Sequence, residues 1–163
     1  MSGRLFLTIF TLFAITLVAC SDGGSDEYLD LREGMRADVL DVFGGVQRAS
    51  AQPNDVNADD AKKVTRQYRL EMSQISGKLS AMNFRWNAVE PPEKFQVHYD
   101  LTSQALGKLA TAIDLLARGA AYIENELTAF FRNYDEGTDL IDEGLAVLNE
   151  ASEFMNLADR ELQ

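Results

Sequence analysis

The sequence predicts an all-α fold, an antiparallel up-down-up-down four-helix bundle that follows a cleaved signal peptide. Three observations predict it. Beyond residue 25 the apolar residues recur in steps of three and four, the spacing of one face of a helix. Glycine, proline and asparagine punctuate that pattern into four segments joined by short connections. No β-hairpin signal is present, and no alternation of period two survives more than a few residues.

The first helix is expected from Ser25, whose hydroxyl suits a cap, with Asp26 and Glu27 near the positive end of the helix dipole. Its stripe is Tyr28, Leu31, Met35, Val39, Val42 and Val46, and Gly44-Gly45 should weaken it near its end. Residues 49–56, with Pro53 and Asn54, read as the first loop. Asn57 is expected to cap a second helix with the stripe Val64, Tyr68, Met72, Ile75, Leu79, Met82, Trp86 and Val89. Pro91-Pro92 should end it, because proline pushes the preceding residue out of the helical region.

Pro92 suits the first turn of a third helix. There Phe95, Thr102, Leu109 and Leu116 lie seven apart, and so do His98, Ala105, Ala112 and Gly119. That helix is expected to stop at Arg118-Gly119 or to run to about Ile123, with Asn125 capping the next. The last segment repeats Tyr134, Ile141, Leu148, Met155 and Leu162 every seven residues, with Gly137, Gly144, Ala151 and Ala158 between them. Ile123, Leu127 and Phe130 extend this seam upstream. Large and small residues in alternation let two helices approach closely, so the last two helices should pair antiparallel around a turn near residues 119–125. A turn centred near 122 would put His98 opposite about residue 146, with Gly144 leaving room for its ring.

Ahead of the bundle lies a different kind of sequence. Arg4 is the only charge before Asp22, and the fifteen residues from Leu5 to Ala19 carry none. A basic start, a short apolar run and small residues at its end are the parts of a secretory leader. Fifteen residues are fewer than the roughly 20 that a spanning helix needs. Leu17, Val18, Ala19 and Cys20 close the run, and Cys20 is the only cysteine in the chain. This stretch resembles the lipobox of bacterial lipoprotein precursors, position by position. The resemblance implies that Cys20 receives a diacylglyceryl thioether, that a signal peptidase cuts between Ala19 and Cys20, and that the new amine is acylated. Two or three acyl chains hold a protein at a membrane where one gives only marginal binding. The expected organisation is a signal peptide at 1–19, a lipidated cysteine and short tether at 20–25, and a bundle at 26–163. The resemblance also implies a place in the bacterial cell envelope, anchored by lipid on the outer face of the cytoplasmic membrane or in the outer membrane on its periplasmic side. Ser21, where Asp retains such proteins on the inner membrane, favours the outer one. The remaining chain also resembles a group of uncharacterised helical-bundle lipoproteins, through Pro91-Pro92, His98 and the run from Gly144 to Ala151. That likeness covers about the last 70 residues and implies no activity.

Removing residues 1–19 leaves 144 residues and takes away only Arg4 among the charges, so the net charge moves from −11 to −12. That length is enough for one domain with a core. The surface repels nucleic-acid phosphate and anionic headgroups, and nucleic acid is excluded as a partner. With Cys20 acylated no thiol remains for a disulfide, a cysteine-bound zinc or a c-type haem.

His98 is the only histidine. A di-iron bundle needs Glu-x-x-His pairs, but residue 95 is Phe95. A haem site would pair His98 with Met72, Met82 or Met155; the plainer reading is a seam histidine bonded to a neighbour. Asn133, Asp135, Asp139, Asp142 and Glu143 form an acidic cluster, but a calcium loop counted from Asn133 would need Gly at Thr138 and Glu at Gly144. A solvated helix face is expected there. Phe84, Trp86, Phe130 and Phe131 cannot all point inward from one narrow stripe, so Trp86, His98, Phe130 and Phe131 are the candidate ligand or partner groove. No phosphate loop, nucleophile elbow, zincin motif or dinucleotide fingerprint is present. The expected function is a non-enzymatic interaction module of the envelope, without metal or cofactor, bound to membrane lipid through Cys20 and to a protein or envelope partner. The alternative is a carrier or sensor that holds a small apolar ligand or haem between its helices.

Overall fold

A computed structural model describes residues 23–50, 58–127 and 134–163. The lipobox-like run Leu17–Cys20, all of the expected 49–56 loop beyond Ala49 and Ser50 (which belong to α1), the Asn57 cap, and Phe130, Phe131 and Asn133 lie outside the described residues. Four long helices, α1 (Gly23–Ser50), α2 (Ala58–Asn87), α3 (Gln96–Glu126) and α4 (Asp135–Arg160), account for almost all of the rest. A single 3-10 turn, Glu93–Phe95, leads into α3, and no strand occurs among the described residues.

The helices form where the apolar stripes put them. Tyr28, Met35, Val39, Val42 and Val46 of α1 are buried, as are Tyr68, Met72, Ile75, Leu79, Met82 and Trp86 of α2. Leu106, Leu109, Ile113 and Leu116 of α3 fill the centre. Each such side chain contributes roughly 1.5–3 kcal/mol on leaving water. The order is up-down-up-down. Asp41 and Asp38 of α1 pair with Lys78 and Arg85 of α2, which run the opposite way. Arg69 of α2 meets Glu124 of α3, and Trp86 meets Ser103.

Several boundaries differ from expectation; among them, α3 opens at Gln96 after the 3-10 turn rather than at Pro92, and α4 opens at Asp135 rather than after an Asn125 cap. Helix α1 begins at Gly23, and Ser25 is buried within its first turns. It also runs through Gly44-Gly45 to Ser50, because a Cβ on Gly45 would come within 3.0 Å of Ile75 of α2, so the missing side chain makes room for packing. Helix α2 stops at Asn87, ahead of Pro91, where the Val89 N–H bonds back to the Trp86 carbonyl at 3.3 Å. Helix α3 does not end at Gly119 or Ile123 but continues to Glu126, so Asn125 lies inside it and Ile123 belongs to α3 rather than to the seam of α4.

The reason is the close approach of α3 to α4. A Cβ on Gly119 would sit 2.7 Å from the Gly137 carbonyl oxygen and 2.7 Å from Ile141. A Cβ on Gly137 would sit 2.6 Å from Ile123, and one on Gly144 3.2 Å from the Ala112 carbonyl. Glycine inside these helices costs propensity, about 1 kcal/mol each, and is offset by backbone-to-backbone contact. The pairing by small residues is therefore present, but its register differs. A turn centred near 122 would set Gly119 against residue 125, whereas it faces Gly137. Gly144 accordingly faces Ala112 and Leu116 and leaves no place for the His98 ring.

Helix α1 is held differently. It packs on α2, but among the described residues none of its Cα atoms comes within 8 Å of one in α3 or α4. Large side chains span the gap.

Gly119→Ala should lower stability by about 1–3 kcal/mol through overpacking. Gly34→Ala and Gly107→Ala, where a Cβ meets nothing within 4 Å, should raise it by about 0.5–1 kcal/mol each. Thermal melts of the three variants check the contrast.

Candidate functional site

Among the described residues, buried polar and aromatic side chains gather at one end of the bundle. There α1 begins, α2 ends, and α3 leaves the Pro91-Pro92 turn. The proline pair holds the chain extended at Pro92, with φ −57° and ψ 145°, before the 3-10 turn starts. That turn delivers Phe95, and the first turn of α3 delivers His98 and Tyr99. Tyr28 comes from α1 and Trp86 from the last turn of α2.

The rings stack in two pairs. Tyr28 lies on Phe95 with centroids 5.1 Å apart, and Trp86 lies on Tyr99 at 5.0 Å. His98 meets both pairs edge-on, 5.7 Å from Tyr28 and 6.1 Å from Trp86. Its Nδ1 is 2.6 Å from the Tyr28 hydroxyl oxygen, in a buried hydrogen bond. The Trp86 indole N–H donates to the Ser103 hydroxyl at 2.9 Å, and that hydroxyl donates to the Tyr99 carbonyl. No buried side-chain nitrogen or oxygen among the described residues lacks a partner. The network is therefore satisfied, as a buried polar group in a low-dielectric setting must be.

One turn up α1, Arg32 crosses to Asp159 near the end of α4, at 2.5 Å. Both side chains are mostly shielded, 13% and 19% exposed, unlike the exposed pairs that Asp41 and Asp38 make with Lys78 and Arg85. Tyr28–His98 and Arg32–Asp159 thus link α1 to α3 and α4 across a gap that backbone packing does not close.

Burial pushes the His98 pKa down to about 4, helped by the Arg32 charge. Burial likewise pushes the Tyr28 hydroxyl well above its ordinary value. At neutral pH the pair is an uncharged imidazole and a phenol. In the tautomer with its proton on Nε2, the histidine accepts the hydroxyl proton of Tyr28 at Nδ1. This arrangement can hold two helices together. Neither group is ionised for proton transfer near pH 7.

Of the candidate groove residues, the structure brings Trp86 and His98 together, both buried. Phe84, two residues from Trp86, takes the outward position and is 78% exposed. Met72 and Met82 are buried in the core, and Met155 packs against it. Asp135, Asp139, Asp142 and Glu143 lie on the exposed side of α4. Among the described residues no group of three or more His, Cys, Asp or Glu is placed to hold a metal ion. Nor is any described helix long and apolar enough to cross a membrane. Sequence reasoning missed the partners: Tyr28 for His98, Asp159 for Arg32, Ser103 for Trp86. The first two join residues 70 and 127 positions apart, and no local pattern marks them. Compared with protein-family models, curated proteins and solved structures, the chain matches none of them.

His98 titrates near 6.5 when unfolded and about 4 when folded, so between those values the unfolded chain binds more protons. Stability should be fully present above pH 6.5 and fall as pH drops towards 4, by an amount on the order of 2–3 kcal/mol. In His98→Gln that part of the pH dependence should vanish; denaturant melts from pH 7 to 4 measure it. Asp159→Asn should cost about 1–3 kcal/mol at pH 7 by leaving the mostly shielded Arg32 without its counter-charge. Adding Arg32→Met should recover part of that loss in the same melts.

Proposed function

We propose that this protein is a lipid-anchored module of the bacterial cell envelope that works by binding rather than by catalysis. The observation that carries the reading is Leu17-Val18-Ala19-Cys20 at the end of a charge-free apolar run, with the only cysteine of the chain three residues ahead of the first helix. Sulfur at that position is the atom that a lipoprotein acyl transfer needs, and a bundle that starts at once needs no other membrane element. The helical bundle, with no described helix able to span a bilayer, agrees with an anchor made of lipid.

The position of the helix start also supports an orientation. Gly23 opens α1 at the end of the bundle that carries Tyr28, Trp86, His98 and Asp159. With acyl chains on Cys20, this end faces the bilayer, and the end where α2 begins and α3 finishes points away from it. A binding role is favoured over catalysis by the chemistry in the interior. The only histidine is neutral and engaged with Tyr28, and among the described residues no buried side-chain nitrogen or oxygen lacks a partner. The alternative role, carrying an apolar ligand or haem between helices, requires the Tyr28–His98 pair to open and its stacked rings to part.

Expression of the full chain in a bacterium with lipoprotein processing tests the reading. The intact mass should lack residues 1–19 and include acyl chains on Cys20, and the protein should fractionate with membranes. Cys20→Ser should abolish acylation and processing. A mature wild-type mass with a bare Cys20, or with Met1 retained, would falsify the anchor.

A further inference from the structure

We propose that α1 opens from the bundle as a unit of its own while α2, α3 and α4 stay packed, and that Tyr28–His98 and Arg32–Asp159 form the latch that holds it closed. This inference does not depend on lipidation of Cys20.

The helices are not joined alike. Helix α3 lies between α2 and α4 and touches both. Its seam with α4 is so close that a Cβ on Gly119 or Gly137 would fall within 2.7 Å of the other helix. Its contact with α2 is tied near both ends, by Ser103 at Trp86 and Glu124 at Arg69. Met72 and Leu79 of α2, Leu109 and Leu116 of α3 and Leu148 of α4 belong to one apolar cluster, so these three helices retain a core when α1 leaves.

Helix α1 has no such seam. Among the described residues, none of its Cα atoms comes within 8 Å of one in α3 or α4. Its pairs with α2, Asp38–Arg85 and Asp41–Lys78, are exposed and add little in water. Its bonds to His98 and Asp159 come from Tyr28 and Arg32, both within the first ten residues of the helix. Polar links of this kind part at modest net cost, because water satisfies the hydroxyl, the imidazole, the guanidinium and the carboxylate once they separate.

A second observation points the same way. Five of the eleven glycines of the chain, Gly23, Gly24, Gly34, Gly44 and Gly45, lie in α1. Glycine weakens a helix unless its missing side chain lets a neighbour approach. Gly119, Gly137 and Gly144 meet that condition, whereas at Gly24 and Gly34 a Cβ would meet nothing within 4 Å. The helix most loosely joined to its neighbours is thus also the one richest in glycine. An element of that kind opens at a free energy below that of global unfolding.

Native-state hydrogen exchange on the full chain in detergent tests this. Amides from Leu31 to Val46 in α1 should exchange through an opening at least about tenfold more populated than the one that exposes Leu106 to Leu116 in α3 (about 1.4 kcal/mol). The α1 opening should also show the smaller denaturant slope, because it uncovers less surface. Tyr28→Phe should populate the α1 opening about tenfold further. Gly119→Ala separates the two units. It should speed exchange in α3 and α4 by about five- to 150-fold (about 1–3 kcal/mol) and leave α1 unchanged, because the seam stays intact when α1 opens. The wild-type comparison decides the matter even if that variant does not fold. Equal populations and slopes for α1 and α3, an acceleration of α1 by Gly119→Ala as large as that of α3, or α1 exchange indifferent to Tyr28→Phe overturns the proposal.

Discussion

The contact on which the rest of the structure depends is the backbone approach of α3 to α4 at Gly119, Gly137 and Gly144. A methyl group there would meet the other helix's main chain, at the Gly137, Gly119 and Ala112 carbonyls, together with the side chains of Ile123, Ile141 and Leu116. Such a contact tolerates no sliding, because a shift of one residue along either helix brings a side chain into the gap. It fixes the level of α4 against α3, and with it the level of Asp159 beside the end where His98 sits. Helix α3 also owes its length to this seam: it continues past Gly119 because the glycine is packed, not exposed.

The opposite device holds α1. Its backbone stays away from α3 and α4, and the distance is filled by a phenol, an imidazole and a guanidinium. Directional hydrogen bonds there specify which face of α1 turns inward at that end. Buried ionic and polar pairs are poor sources of net stability against well-packed apolar residues. Their value here lies in position: they link an outlying helix to both members of the tight pair. The chain thus uses two kinds of cohesion, dispersion across glycines on one side and satisfied polar contacts on the other.

This division bears on function. At the end where α1 begins, the interior is occupied by rings and hydrogen bonds that already serve each other. The outside is not uniform. Helix α4 shows solvent a row of carboxylates, whereas the outward side of α2 between Leu70 and Phe84 shows none.

Much of this was legible in the residues alone. Helical periodicity is a local property, set by 3.6 residues per turn, so four stripes sufficed to determine four helices and to place Trp86 inside. The repeated Gly and Ala at every seventh position determined that the last two helices pair closely. The unique Cys20 after an apolar run set the expected address. The axial register was not legible, because it depends on which two distant glycines meet, and the spacing of sevens is compatible with several alignments. A turn placed near 122 looked natural beside Gly119, yet tertiary packing kept that glycine inside a helix. For the same reason only the folded chain decided that His98 meets Tyr28 instead of resting over Gly144, and that Arg32 reaches Asp159. Such pairings follow from how whole helices are levelled against one another, and no stretch of sequence carries that information by itself.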